Sequence, residues 1–245
     1  MSRPVLLIAG GSRGIGAACA RLAGERGYDV AVNYKTNANA AAGVVDAVKA
    51  AGGQAVAIAG DVAVEADIIR IFDEAAAALG PVTHFVHCAG IIGDASRLDE
   101  ASAQTIRAVL DINTVGALLC LRESVRRLST KNGGKGGAVV MLSSMAATIG
   151  GGGECVWYAA AKAGVDAMVV GASREVAKEG VRINAVSPGV IDTDIQPPGR
   201  VERLTPLLPM GRVGQADEVA EAVLFLLSDA ASYINGANLR VSGAR

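Results

Sequence analysis

Tyr158 and Lys162 stand four residues apart in Trp157-Tyr158-Ala159-Ala160-Ala161-Lys162, and Ser144 precedes the tyrosine by fourteen. On a helix, positions i and i+4 share one face, so the Lys162 ammonium is expected beside the Tyr158 phenol. A free tyrosine has a pKa of about 10. A unit charge ~4 Å away is worth about 4 kcal/mol at an effective dielectric near 20. That ceiling corresponds to roughly three pKa units of depression, enough for the phenol to exchange protons near neutral pH. Ser144, or its neighbour Ser143, could donate to the same developing oxyanion. Any helix can carry a Tyr and a Lys at this spacing, so its meaning depends on the elements around it.

The first of those elements is a glycine turn. After the apolar run Val5–Ala9 comes Gly10-Gly11-Ser12-Arg13-Gly14-Ile15-Gly16, opening a helical pattern. Glycines allow a sharp turn and let a pyrophosphate approach the helix N-terminus, where free N–H groups favour anions. The order is G-x-x-x-G-x-G rather than G-x-G-x-x-G, but its place between strand and helix suits a dinucleotide. Gly10, Ser12 and Gly14 also fit G-x-S-x-G, a hydrolase nucleophile elbow. Its histidine should follow the Ser and the acid, and the elbow should not sit on the first strand. Both histidines fall at 84 and 87, so the hydrolase reading is set aside. About twenty residues on, an NAD site would carry Asp or Glu for the ribose hydroxyls. This chain has Asn33-Tyr34-Lys35-Thr36, with Arg13 as a second cation, which favours the 2′-phosphate of NADP.

The whole chain must place these groups together. At 245 residues it can bury a sizeable core, and 51% of it is hydrophobic. Apolar runs at Val5–Ala9, Asp29–Asn33, Gln54–Ala59, His84–His87, Ala138–Leu142, Arg182–Val186 and Leu239–Val241 alternate with helical patterns. Those patterns lie near 15–26, 38–51, 65–79, 102–129, 157–179 and 216–228. Runs without polar alternation imply strands covered on both faces. The expected fold is therefore α/β, a Rossmann-type doubly wound parallel sheet of seven strands with helices on both faces, in one domain spanning 1–245. Pro188–Gln215, with five Pro and four Gly, resists assignment and suits a substrate flap around 190–212. The net charge of −1 gives no nucleic-acid footprint. The longest charge-free stretch, Gly136–Gly153, is too rich in glycine and hydroxyls for a membrane span. Two histidines make a metal cluster improbable. Four scattered cysteines, with no leader pattern before the first strand, suggest reduced thiols in a cytoplasmic protein.

Assembled in order, these pieces resemble the short-chain dehydrogenase/reductase family over essentially the full length. The resemblance is carried by Gly10…Gly14-Ile15-Gly16, Asp61-Val62, Ala89-Gly90, Asn113, Ser144, Tyr158…Lys162 and Ser187-Pro188-Gly189…Thr193. Arg212-x-Gly214…Asp217-Glu218-Val219-Ala220 and Ser232-Tyr233-Ile234-Asn235-Gly236 add to it. The chain is similar to 3-oxoacyl carrier-protein reductases and to sugar- or steroid-type dehydrogenases. It departs at Ala9, where the family usually has Thr, and at His87-Cys88, where it has Asn-Asn. The closing Ser242-Gly243-Ala244-Arg245 replaces the usual Asp-Gly-Gly. Some bracing of the cofactor loop is thus lost or rebuilt. His87 reads as a strand-end histidine hydrogen-bonded to backbone rather than an added acid or base, and Cys88 as packing.

The resemblance implies a hydride moved between nicotinamide and a carbonyl/alcohol pair, with Tyr158 exchanging the oxygen's proton. It gives Ser144 the oxyanion and makes Lys162 a donor to the nicotinamide ribose. Asn113, within Asp111–Gly116, would either hold a water linking Lys162 to solvent or mark a tolerated helix kink. Asp61 would accept from the adenine amino group, with Val62 offering backbone, or would cap the following helix. Ala89 and Gly90 would face the cofactor, as would Asn33, Tyr34 and Lys35. Pro188 and Gly189 would lie against the nicotinamide, Ile191 would bond its carboxamide through backbone, and Thr193 would reach a phosphate. Ile92, Met145, Ile149, Trp157 and Val190 are expected to line an apolar pocket suited to a neutral ketone, aldehyde or alcohol, although Arg200 and Arg203 of the flap could meet an anion. A homo-oligomer, commonly a tetramer built through helices around 102–129 and 157–179, is also implied. A non-catalytic dinucleotide-binding or regulatory protein is the competing reading.

Overall fold

The computed structural model describes residues 3–245. Its seven strands are β1 Val5–Ala9, β2 Asp29–Tyr34, β3 Ala55–Ala59, β4 His84–His87, β5 Gly137–Leu142, β6 Val181–Pro188 and β7 Asn238–Val241. All pair in parallel, in the order β3-β2-β1-β4-β5-β6-β7. The helices are α1 Gly14–Glu25, α2 Ala38–Ala50, α3 Glu65–Leu79, α4 Ala103–Leu110, α5 Ala117–Leu128, α6 Ala146–Ile149, α7 Val156–Val176, α8 Arg200–Leu204 and α9 Ala216–Leu227. Strand order reverses between β1 and β4, and the crevice outside the carboxyl ends there is where such sheets bind ligands.

Alternate strand residues feed two cores, as the pleat requires. Leu6, Ile8, Val30 and Val32 pack with Ala20, Val48, Val223 and Leu224 of α1, α2 and α9. Leu7, Phe85 and Met141 pack with Phe72, Leu121 and Val165 of α3, α5 and α7. Burial of each such large side chain contributes about 1.5–3 kcal/mol. Gly27, Gly52, Gly80 and Gly180, which follow the C-terminal ends of α1, α2, α3 and α7, all adopt positive φ.

Three regions differ from the sequence expectation. The helical pattern over 102–129 is interrupted between α4 and α5 by a π turn, Asp111–Gly116, which holds Asn113. Inserting a π turn re-aims the side chains within it, and such turns often mark functional positions. The continuous rod Ala103–Leu128 is long and apolar enough to cross a membrane by length and composition. It packs instead on the sheet through Ala117, Cys120, Leu121 and Leu128, and its Arg122 and Arg127 pair with Glu65 and Asp73. The flap is not wholly irregular, for it contains α8 and a 3₁₀ turn at Thr205–Leu207. The glycine-rich stretch after β5 also holds the short helix α6.

Candidate active site

The glycine turn joins β1 to α1 through contacts that leave no room for side chains. A Cβ on Gly10 would lie 2.7 Å from the Ala89 nitrogen, and one on Gly16 would overlap the Gly10 carbonyl oxygen. Thr193 stands over the turn, its Cγ2 3.4 Å from a Cβ placed on Gly14. The N-terminus of α1 has no side-chain cap and no acidic residue in its first turn. Its first N–H groups therefore suit an external anion. Gly10, Ser12, Arg13, Gly14, Ile15 and Gly16 line a cleft of about 570 Å³, together with Asn33, Tyr34, Lys35, Asp61, Val62, Ala89, Gly90 and Thr193. The geometry and donor set fit an extended dinucleotide.

Not every group in this cleft is free. Asn33 is buried, its Oδ1 accepting from Gly10 N–H at 3.3 Å and its Nδ2 donating to Ile58 and Gly60 carbonyls. Its amide ties the glycine turn to β3, which supplies bracing at a turn that follows Ala9 rather than Thr. Lys35 pairs with Asp61 at 2.6 Å, and Asp61 also accepts from Ala63 N–H at 3.0 Å. Burial pushes the Asp61 carboxyl up, but the bonds from Lys35 and Ala63 outweigh it and leave the pKa lowered. Asp61 does not cap α3, whose cap position is Val64.

The cleft continues into a second cavity of about 550 Å³, lined by Ser144, Tyr158, Lys162, Pro188, Gly189 and Ile191. Ile15, Gly90 and Thr193 line both, so glycine turn and phenol share one continuous space. Tyr158 and Lys162 lie on the same face of α7, with the Lys162 Nζ 5.8 Å from the phenol ring centroid. Ser143 and Ser144 separate by role. Ser143 is buried and donates to the Lys162 carbonyl at 3.1 Å, fixing β5 to α7. Ser144 accepts from Ala146 N–H at 3.1 Å, and its hydroxyl lowers the pKa of the Tyr158 phenol that shares its cavity.

The expected depression of Tyr158 by Lys162 is not found. Burial pushes the phenol up to about 12, and the groups pulling it down are Ser144 and Arg200. Lys162 spends its ammonium on the Leu142 carbonyl at 2.7 Å, and burial lowers its own pKa to about 8. The i, i+4 spacing set the shared face correctly but not the direction of the ammonium, nor the cost of drying the phenol.

Asn113 is fully buried in the π turn and clamps the backbone of Ile91, accepting from its N–H at 3.0 Å and donating to its carbonyl at 2.7 Å. A Cβ on Gly90 would meet Asn113 Oδ1 at 2.7 Å and Lys162 Nζ at 3.7 Å. Asn113, Gly90 and Lys162 thus converge on one point. Pro188 accepts from Met145 N–H at 2.9 Å, and Gly189 packs on Ser242. Ile191 forms a parallel bridge with Gly214 that uses the Val190 carbonyl and the Asp192 N–H, while the Ile191 carbonyl accepts from Gln196.

At the outer end, Ile92, Met145, Ile149 and Val190 line the cavity as expected. Trp157 does not, because its indole is buried and donates to the Ile92 carbonyl at 2.8 Å. The mouth is also more charged than an apolar pocket, with Glu154, Arg200, Arg203 and Arg245 among its walls. Arg245 belongs to the C-terminal segment that departs from the family pattern, whereas Glu154 escaped the sequence reading. The only hint was a carboxylate directly after four glycines, Gly150–Gly153.

The departures from the family pattern lie beneath the cleft. His87 is buried, and burial together with Lys162 lowers its pKa to about 3. Its Nε2 has no partner among the described residues, so the backbone-bonded histidine expected from sequence is not found at that nitrogen. Cys88 lines both cavities, a more exposed place than the core packing expected. Neither histidine hydrogen-bonds Ser12 among the described residues. His84 pairs with Thr83 Oγ1 and stacks edge-on to Tyr28, away from the turn.

This arrangement can be set beside known proteins. The profile of the family described as Enoyl-(Acyl carrier protein) reductase matches residues 9–243. The chain is 42% identical to the uncharacterized oxidoreductase YgfF of Escherichia coli K12, covering 98% of this chain and 99% of that protein. It is 35% identical to the 3-oxoacyl-[acyl-carrier-protein] reductase FabG of Staphylococcus aureus Mu50, covering 97% and 96%. It is 36% identical to the cis-4-hydroxycyclohexanecarboxylate dehydrogenase of Sinomonas cyclohexanicum, covering 98% and 95%. A solved short-chain dehydrogenase/reductase from Serratia marcescens superposes with a TM-score of 0.91 at 29% identity, over 99% and 98% of the two chains. With Ser144, Tyr158 and Lys162 opening onto the same cleft as the glycine turn, the chain belongs to the short-chain dehydrogenase/reductase family of oxidoreductases.

Proposed function

We propose that this protein is an NADP-dependent carbonyl reductase, moving a hydride between NADP(H) and a carbonyl/alcohol pair with Tyr158 as proton donor. The observation that carries this reading is the single cleft running from the glycine turn to the Tyr158 phenol. A bound nicotinamide would supply the hydride at this end of the cleft. Tyr158, with a pKa of about 12, carries its proton across the neutral range and so stands ready as a donor in reduction. Ser144 lines the same cavity as the phenol and offers a second hydroxyl to the oxygen that gains charge. Lys162 stays near the phenol with a lowered pKa, ready to shift its ammonium from the Leu142 carbonyl to a ribose hydroxyl. Asn113 fixes the Ile91 backbone, and with it the loop carrying Ala89 and Gly90, against the cofactor side.

The preference for NADP rests on Arg13 and Lys35 lining the cleft where no acid ends β2. The Lys35–Asp61 pair softens that preference, because part of the Lys35 charge is already answered. Two of the similar proteins are named for acyl-carrier-protein or cyclic hydroxy-acid substrates, which supports a small carbonyl or alcohol compound here. A homotetramer fits Val115 and Leu118 exposed beside α5 and Val170 exposed on α7. Four free cysteines support a reducing, cytoplasmic location.

Titration with NADPH and NADH, followed by turnover of a carbonyl panel, tests the reading. Tighter NADPH binding with carbonyl-dependent oxidation is expected. Tighter NADH binding overturns the cofactor choice. Binding of either without reduction of any carbonyl favours the non-catalytic dinucleotide-binding reading.

A further inference from the structure

Four side-chain cations line the catalytic cavity, Lys162, Arg200, Arg203 and Arg245, against one carboxylate, Glu154. Arg200 is well buried, with 17% of its side chain exposed, and its Nε and Nη2 both bond Glu154 Oε2, at 3.1 and 3.0 Å. Its Nη1 donates to Gln196 Oε1 at 2.6 Å. Arg203 takes the other Glu154 oxygen. One carboxylate is thus bonded by two guanidiniums, while Arg245 is repelled by both of them and attracted by the same Glu154. Arg200 and Tyr158 line the same cavity, and the Arg200 charge pulls the phenol's pKa down.

The burden falls on Arg200, which is the well-buried member of the cluster and must share its carboxylate with the more exposed Arg203, since a buried charge that is incompletely matched is costly. Guanidinium forks match carboxylate and phosphate geometry, and an anionic substrate group would supply the missing negative charge. We propose that the substrate is an anion, a carbonyl compound whose carboxylate or similar acidic group is held by Arg200, Arg203 and Arg245, with Glu154 as the internal counter-ion it competes with. This inference rests on the oxidoreductase reading and names the substrate class for the same site. It reverses the preference for neutral substrates drawn from the apolar positions alone.

The test pairs oxo acids with their methyl esters, 4-oxopentanoate and 6-oxoheptanoate in both forms, under saturating NADPH. The wild type should prefer an acid over its own ester in kcat/KM. Arg200→Gln should lower the acid/ester ratio about 10- to 100-fold, the size of a lost charge-assisted bond. Glu154→Gln should move the ratio the opposite way, lowering KM for the acid, because the competitor is gone. A clasp with no substrate role would make both variants equally harmful to acid and ester, which would overturn the proposal, as would a wild-type preference for the esters. Calorimetric binding of heptanoate, which has the carboxylate and no carbonyl, gives a readout independent of turnover. Binding weakened at least tenfold in Arg200→Gln supports the anion site, and absence of binding to the wild type overturns it. Heptanoate binding without carbonyl turnover would leave the anion site standing and sink the reductase reading instead.

Discussion

The glycine-turn end of the cleft is held by backbone contacts too close to admit a side chain, whereas the flap end is held by ion pairs on the one-turn helix α8. Gly10, Gly16 and Gly90 each face an atom that a Cβ would strike. Arg200 and Arg203 meet Glu154 through long, rotatable side chains, one of them more than half exposed. The first construction recognises a constant ligand through shape. The second recognises through charge, and can be retuned by single substitutions without disturbing the sheet. Specificity for the substrate is therefore expected to reside in the flap, and competence to bind a dinucleotide in the turn.

Substitutions at the two ends should differ sharply in cost. Gly16→Ala forces a methyl into the Gly10 carbonyl and should weaken dinucleotide binding on the order of 100-fold, about 3 kcal/mol, a typical overpacking cost. Fluorescence titration with NADPH reads this, and near-normal affinity would show the turn to be more compliant than its contacts indicate. His87→Asn probes the strand β4 that lies beneath both ends. His87 titrates at about 3 in the folded chain, against about 6.5 when unfolded. As pH falls below the unfolded value, the unfolded chain binds the extra proton, so stability is lost from about pH 6.5 down towards 3. Urea melts at pH 7 and pH 5 should show the wild type losing about 2 kcal/mol more than the variant. Equal losses would mean that His87 is not held neutral.

Lys35→Ala should cut the preference for NADPH over NADH by about three- to tenfold, a modest change because the side chain is 59% exposed and already paired with Asp61. An unchanged ratio would move the discrimination to Arg13. Arg203→Gln should alter thermal stability by less than about 1 kcal/mol, since its 58% exposed side chain is screened by solvent. A larger loss would make the flap as rigidly built as the turn and would erase the contrast between the two ends.

Much of this was legible in the sequence because local chemistry dictated it. The seven apolar runs fall on the seven strands within a residue or two; the inner strands are covered on both faces, whereas the edge strands β3 and β7 are more exposed. The glycine turn, Tyr158 and Lys162 line the expected cleft because the turn follows the first strand and the pair shares a helix face, while Ser144 and Thr193 line it where the family resemblance implied. Asn113 advertised itself as a poor interior helix residue, although not as a π turn clamping Ile91. What stayed hidden depends on long-range packing. The direction of the Lys162 ammonium depends on where the Leu142 carbonyl ends β5. The desolvation of Tyr158 depends on packing against the cluster of Val109, Cys155, Trp157 and Ala161, which joins α4 to α7. The meeting of Glu154, Arg200 and Arg245 joins three segments that nothing local connects.

The central claim is that the Tyr158 phenol delivers a proton to a carbonyl at the end of the dinucleotide cleft. Single-turnover oxidation of saturating NADPH by a turned-over carbonyl, compared between wild type and Tyr158→Phe, tests it most directly. The account predicts a fall of about 10²- to 10⁴-fold in the hydride-transfer rate, the usual worth of a positioned general acid. A Tyr158→Phe rate equal to wild type would contradict it.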